Sequence, residues 1–139
     1  MNRQDAKAAK KEPSDDLDRL AASVVDAALE VHRTLGPGYA ESIYEEAVCH
    51  ELRLRSLGFV RQAAVAVTYN GHAVGEGRVD LLFDEGLVVE SKAVESMLPV
   101  HRAQMISYLK ATGSTLGLLI NFNVKSLRDG IQRVIRATE

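Results

Sequence analysis

The sequence predicts a single α/β (α+β) domain in which helices flank a four-stranded sheet, in the order α-α-β-β-β-α-β-α. Three observations predict it: apolar residues three and four apart from Leu17 to Leu52, a change to period two after Gly58, and a return to helical spacing from Pro99 and again from Val124. A chain of 139 residues suits one domain, and 46% apolar with 26% charged residues is ordinary globular composition. Disordered, collagen-like and disulfide-stapled classes are thereby excluded. The net charge of −2 gives no global attraction to polyanions, so any nucleic-acid binding must come from a local basic patch. Cys49 is the only cysteine, which excludes an internal disulfide and a multi-cysteine zinc site and fits a reducing compartment. No run reaches the ~18 apolar residues of a membrane span and no signal-peptide pattern opens the chain. The expectation is a cytoplasmic protein with no membrane partner.

Residues 1–16 are polar and aperiodic, and read as a flexible N-terminal tail ahead of one domain over 17–139. Leu17, Leu20, Val24, Ala28, Val31 and Leu35 mark a first amphipathic helix, entered through Ser14, Asp15 or Asp16 and ended at Gly36-Pro37-Gly38. A second begins near Ala40, turns Ile43, Tyr44, Ala47, Val48 and Leu52 inward, and stops at Gly58. Val65, Val67 and Tyr69 alternate as a half-buried strand, and Asn70-Gly71 is a hairpin signal. The returning strand, Ala73 to Phe83, contains Gly75 and Gly77, where a bulge is expected. Asp84-Glu85-Gly86 turns into a third strand, Leu87 to Ala93. Pro99 opens a helix closed by Gly113, Leu116 to Phe122 form a buried strand, and Val124, Leu127, Ile131, Val134 and Ile135 mark a closing helix.

The chemistry concentrates between Arg78 and Lys92. With a three-residue loop at Asp84–Gly86 and Gly86 left-handed, Phe83 pairs with Leu87 and Asp80 falls opposite Glu90. Directly opposed β-carbons lie roughly 4.5–5.5 Å apart, so both carboxylates can hold one cation. Lys92 projects from the same face as Glu90. Leu81, Leu82, Phe83, Leu87, Val88 and Val89 leave neither face of these strands polar, so the hairpin is covered on both sides rather than being a solvated surface pair. Carboxylates at such a buried strand end need a metal or a cationic partner.

Asp80 followed by Glu90-Ser91-Lys92 resembles the D…(D/E)-x-K signature of the PD-(D/E)XK nuclease superfamily, and Gly38-Tyr-Ala-Glu41-Ser-Ile-Tyr44 is similar to the motif of its GxxExxY proteins. The resemblance continues through residues 31–38, through His101, Gln104 and Tyr108, and through 116–122, and covers about 17–136. Ser91 stands where an apolar residue is expected, and no proline precedes Asp80. The resemblance implies a restriction-endonuclease-like core with a mixed sheet, a DNA or RNA substrate, and Mg²⁺ or Mn²⁺ as cofactor. It implies metal ligands at Asp80, Glu90, the Ser91 carbonyl and Glu41, with Asp80, Glu90, Lys92 and Glu41 as the catalytic set. Gln104, Tyr108, Tyr44 and His101 become the substrate contacts, and Arg78, Lys92, Arg102 and Lys110 the local basic residues. A homodimer or larger assembly is compatible with so small a chain. The rival reading is a non-catalytic nucleic-acid-binding or protein-interaction module on the same fold. His32, His50 and His72 show no zinc spacing, and the sequence assigns His32 no role.

Overall fold

The computed structural model describes residues 12–136. Helix α1 (Asp15–Leu35) begins where the Ser14 hydroxyl accepts the Leu17 N–H at 3.1 Å, and Asp15, Asp16 and Asp18 complement the positive end of its dipole. Two residues assigned to the tail are therefore helical; residues 1–11 lie outside the described residues. Helix α2 (Glu41–Leu54) ends earlier than Gly58. Ser56 takes the left-handed conformation (φ 61°), and the N–H groups of Ser56 and Leu57 donate to Arg53 and Leu52, closing the helix as a Schellman turn.

Strands β1 (Val60–Tyr69), β2 (His72–Phe83), β3 (Leu87–Lys92), β4 (Leu116–Asn121) and β5 (Ile131–Ile135) form one sheet in sequence order. All neighbours are antiparallel except β3 and β4, whose parallel pairing requires the crossover supplied by helix α3 (Pro99–Thr112). The β1–β2 turn has Asn70 and Gly71 both at positive φ, and a register shift beside Val67/Thr68 leaves Val74 as the extra residue, next to Gly75. Val67 and Tyr69, expected to be half-buried, are exposed: this end of the hairpin runs clear of both core clusters. The β2–β3 loop has the expected form, with Gly86 at φ 103° and Phe83 paired with Leu87.

The closing helix is not formed. A single 3-10 turn at Leu127–Gly130 leads into β5, so the sheet has five strands rather than four. All six residues of β4 are buried, and its edge away from β3 carries backbone N–H and C=O groups that water cannot reach. Pairing with Ile131–Ile135 satisfies them, an advantage that outweighs helical spacing in a segment rich in β-branched residues.

The sheet separates two apolar clusters. Helices α1 and α2 pack on one face, with Leu81, Phe83, Leu87, Val89, Leu118 and Phe122; α3 packs on the other through Met105 and Leu109, against Val65, Val79, Val88 and Leu119. Both faces of β3 and of the inner end of β2, Val79 to Phe83, are therefore covered, as the apolar composition at 81–83 and 87–89 predicts. No helix among the described residues is long and apolar enough to cross a membrane.

Gly130 approaches β4 so closely that an added β-carbon would lie 2.2 Å from the Asn121 carbonyl oxygen, whereas one at Gly58 would meet nothing within 4 Å. Gly130→Ala should destabilise the fold by about 2 kcal/mol or more, through backbone displacement of β4 against β5, and Gly58→Ala by much less. Thermal denaturation of the two variants checks this; equal melting temperatures would contradict the packing.

Candidate active site

The backbone register of β2 with β3 runs Phe83↔Leu87, Leu82↔Val88, Leu81↔Val89 and stops there. β3 continues beside β4 as far as Lys92↔Asn121, and β2 continues beside β1 to the hairpin turn. The sheet thus splits between its second and third strands, and Asp80 and Glu90 occupy the split. Each carboxylate replaces part of the missing ladder. The Asp80 N–H donates to Glu90 Oε2 at 2.6 Å, and the Ser91 N–H donates to Asp80 Oδ2 at 2.8 Å. Asp80 and Glu90 are only 9% and 5% exposed, and Lys92 Nζ lies 3.9 Å from Glu90 Oε1.

Burial disfavours the charged form of both acids and raises their pKa values, Asp80 to about 6 and Glu90 to about 7. For Asp80, the Ser91 N–H opposes this, while the charges of Glu45 and Glu41 reinforce it. For Glu90, the charge of Asp80 is the second cause of the rise. Two desolvated carboxylates whose ionised forms lack full compensation are a donor set suited to a hard divalent cation, which accepts few protein oxygens and retains waters. Among the described residues no third acidic, histidine or cysteine side chain converges with them to form a metal cage. The donor set these two acids offer is therefore oxygen, the kind a hard divalent cation accepts, with water left to supply the remaining positions.

The remaining predicted residues are placed variously. Glu41 is the first residue of α2 and is exposed, not turned inward; its charge nevertheless acts on both Asp80 and Glu90. Tyr44 is fully buried, so it offers no surface to a substrate. Its ring stacks on Phe122 at 4.7 Å, while its hydroxyl donates to the Gly36 carbonyl and accepts the Tyr39 N–H. His101 accepts the Leu98 N–H through Nδ1 and so caps α3. Gln104 is exposed on α3, and Tyr108 lies against Gly77 of β2, where an added β-carbon would come within 3.0 Å of its ring. Tyr108 and Lys110 line a cleft of about 540 Å³ between α3 and Val65–Thr68 of β1. Arg78 is exposed and donates to the Gln62 carbonyl.

Sequence reasoning missed three residues next to Asp80. Glu45, 6% exposed, accepts hydrogen bonds from Arg61 Nε (2.9 Å) and Gln62 Nε2 (2.7 Å), and Gln62 Nε2 also donates to Asp80 Oδ1 at 3.2 Å. Arg61 reaches Glu46 as well, at 2.6 Å, which lowers the Glu46 pKa. The available signal was the spacing of Glu45 with Cys49 and Leu52, which puts this acid on the buried side of α2 while Ile43 is exposed. His32, unassigned from the sequence, binds the Val124 carbonyl through Nε2 at 2.8 Å and so ties α1 to the loop after β4.

A family model for the PD-(D/E)XK nuclease superfamily matches residues 18–134 of this chain. Among solved structures, the crystal structure of SSO0001 is similar with a TM-score of 0.49 and 18% identity, over 84% of this chain and 67% of that one. No curated protein matches the chain.

The raised pKa values set a pH dependence. Because Asp80 and Glu90 bind protons more tightly in the folded than in the unfolded chain, their contribution to stability is complete below their ordinary carboxylate pKa. It is lost as pH rises toward about 6 and about 7. In metal-free buffer, the stability of the wild type relative to Asp80→Asn/Glu90→Gln should fall by on the order of 2 kcal/mol between pH 4 and pH 7.5. Urea melts across that range provide the measurement, and a pH-independent difference would exclude the desolvated pair. Tyr44→Phe should cost about 1 kcal/mol in thermal or urea denaturation, since the hydroxyl's bonds to the Gly36 carbonyl and the Tyr39 N–H are both lost.

Proposed function

The chain belongs to the PD-(D/E)XK nuclease superfamily, and we propose that it is a divalent-metal-dependent nuclease that hydrolyses phosphodiester bonds of DNA, with RNA as the alternative polymer. One observation carries this reading: Asp80 and Glu90 lie buried in the split between β2 and β3 with Lys92 beside them. A structural ion pair would place one cation against one anion; here two acids share a site whose only neighbouring side-chain ammonium among the described residues is 3.9 Å from one of them.

In this reading Asp80, Glu90 and the Ser91 carbonyl bind Mg²⁺ or Mn²⁺, which supplies Lewis-acid stabilisation of the charge that grows on the phosphoryl oxygens. Lys92 orients the attacking water by a hydrogen bond from Nζ. Glu41, exposed at the start of α2, adds negative charge that acts on both acids and favours cation entry. Tyr108, Lys110 and Gln104 form the α3 side of the nucleic-acid path, Tyr108 and Lys110 lining the cleft against β1. Arg78 and Arg102 extend the basic surface. The Gly38–Tyr44 motif supports placement in the narrower GxxExxY group. Its tyrosine is accounted for as architecture, because the Tyr44 hydroxyl fastens the loop that joins α1 to α2.

The test is cleavage of single- and double-stranded DNA and RNA with Mg²⁺, with Mn²⁺ and with chelator. Metal-dependent cleavage is expected, with Glu90→Gln and Lys92→Ala each reducing it by about a hundredfold or more while the fold is retained. Binding should weaken steeply with added salt. Nucleic-acid binding that ignores the metal, with no cleavage of any polymer, would instead favour the binding-module reading.

A further inference from the structure

We infer that Gln62, held by Glu45, is a positioning residue that orients the Asp80 carboxylate for cation binding. The inference rests on the proposed metal site and extends it to residues outside the D…ExK and GxxExxY motifs. One amide nitrogen, Gln62 Nε2, uses its two hydrogens on two acids: Glu45 Oε2 at 2.7 Å and Asp80 Oδ1 at 3.2 Å. The other Asp80 oxygen accepts the Ser91 N–H at 2.8 Å. With one bond on each oxygen, rotation of the carboxylate about its Cβ–Cγ bond is opposed from two sides, so its remaining lone pairs keep a fixed direction. A ligand aligned in advance spares the cation the cost of ordering it.

The surroundings fix Gln62 as firmly as Gln62 fixes Asp80. Arg61 forks between Glu45 and Glu46, so the acid that holds the amide is itself clamped. Arg78 Nη1 donates to the Gln62 carbonyl at 3.0 Å. Gln62 sits at φ 53°, inside a strand, a conformation that L side chains adopt only where neighbours impose it. It is also the residue of β1 facing Asp80 in the register, between the pairs Arg61↔Leu81 and Ala63↔Val79. Strand β1 therefore departs from regular geometry at the one position where its side chain reaches the site. Glu45, rather than the more exposed Glu41, is the α2 acid connected to Asp80 by hydrogen bonds.

The test measures Mn²⁺ affinity of the intact chain by calorimetry and by the paramagnetic signal of free Mn²⁺, so that it does not depend on cleavage. Gln62→Gly removes the amide and accommodates the backbone; Gln62→Asn tolerates the same φ but is too short to span both acids. Each should weaken Mn²⁺ binding by about tenfold or more, the scale on which supporting residues act on metal ligands. Glu45→Gln should also weaken binding in the wild type but add little in the Gln62→Gly background, because Glu45 acts through the amide. Unchanged affinity in Gln62→Gly, or an undiminished Glu45→Gln effect in that background, would overturn the inference. Asp80→Asn separates the two levels. If it abolishes Mn²⁺ binding while Gln62→Gly leaves it intact, the positioning role alone fails; if wild type and Asp80→Asn bind alike, the metal site fails as well.

Discussion

The loss of backbone pairing between β2 and β3 beyond Leu81 and Val89 is the constraint on which the rest of this structure depends. A regular antiparallel ladder at that point would take up one or other of the Asp80 and Ser91 N–H groups, which belong to adjacent pairs, and press two like charges together at the closest spacing a sheet allows. With the strands parted, those same N–H groups are donors to Glu90 and Asp80, so the backbone partly compensates the acids it has buried. The compensation is incomplete, and both acids titrate well above ordinary carboxylates. A site of this kind is costly in the free protein and selective for a ligand that brings positive charge.

Other buried polar side chains fasten the segments that flank the central strands. Asn121, paired with Lys92 across β3 and β4, holds both backbone groups of Val94 through its amide, and so directs the chain away from the site toward α3. His32 secures the Val124 carbonyl just after β4, and Tyr44 secures Gly36 and Tyr39 before α2. Polar groups this deeply buried specify one arrangement because alternative packings leave them unsatisfied. Among the described residues no buried side-chain nitrogen or oxygen lacks a partner. Tyr44, which resembles a functional residue as part of a motif, is therefore accounted for as a fastening of the loop that carries Glu41.

The two α2 acids show how position on a helix decides a role. Glu41 lies at the first residue, exposed, and influences Asp80 and Glu90 through its field alone. Glu45, one turn on, is buried and reaches Asp80 through the Gln62 amide. The helical period places 45 beside 49 and 52 on the inward stripe, whereas 41 precedes the point at which α2 meets the sheet.

Local rules in the sequence determined the helix–hairpin order, the three-residue loop at Asp84–Gly86 and the pairing of Phe83 with Leu87, because turn chemistry and period two fix register over a few residues; that register brings Asp80 and Glu90 together, although the ladder itself ends at Leu81 and Val89. They also determined that both faces of β3 and of the inner end of β2 are covered, since apolar residues occupy both sets of alternating positions at 81–83 and 87–89. Tertiary structure alone decided that residues 131–135 form a strand: their spacing suits a helix, and only the unpaired edge of the buried β4 favours the sheet. It alone brought Gln62 and Glu45 to Asp80, across sequence separations of 18 and 35 residues. Such contacts arise from how strands and helices pack, and no local pattern in the chain encodes a meeting between residues so far apart.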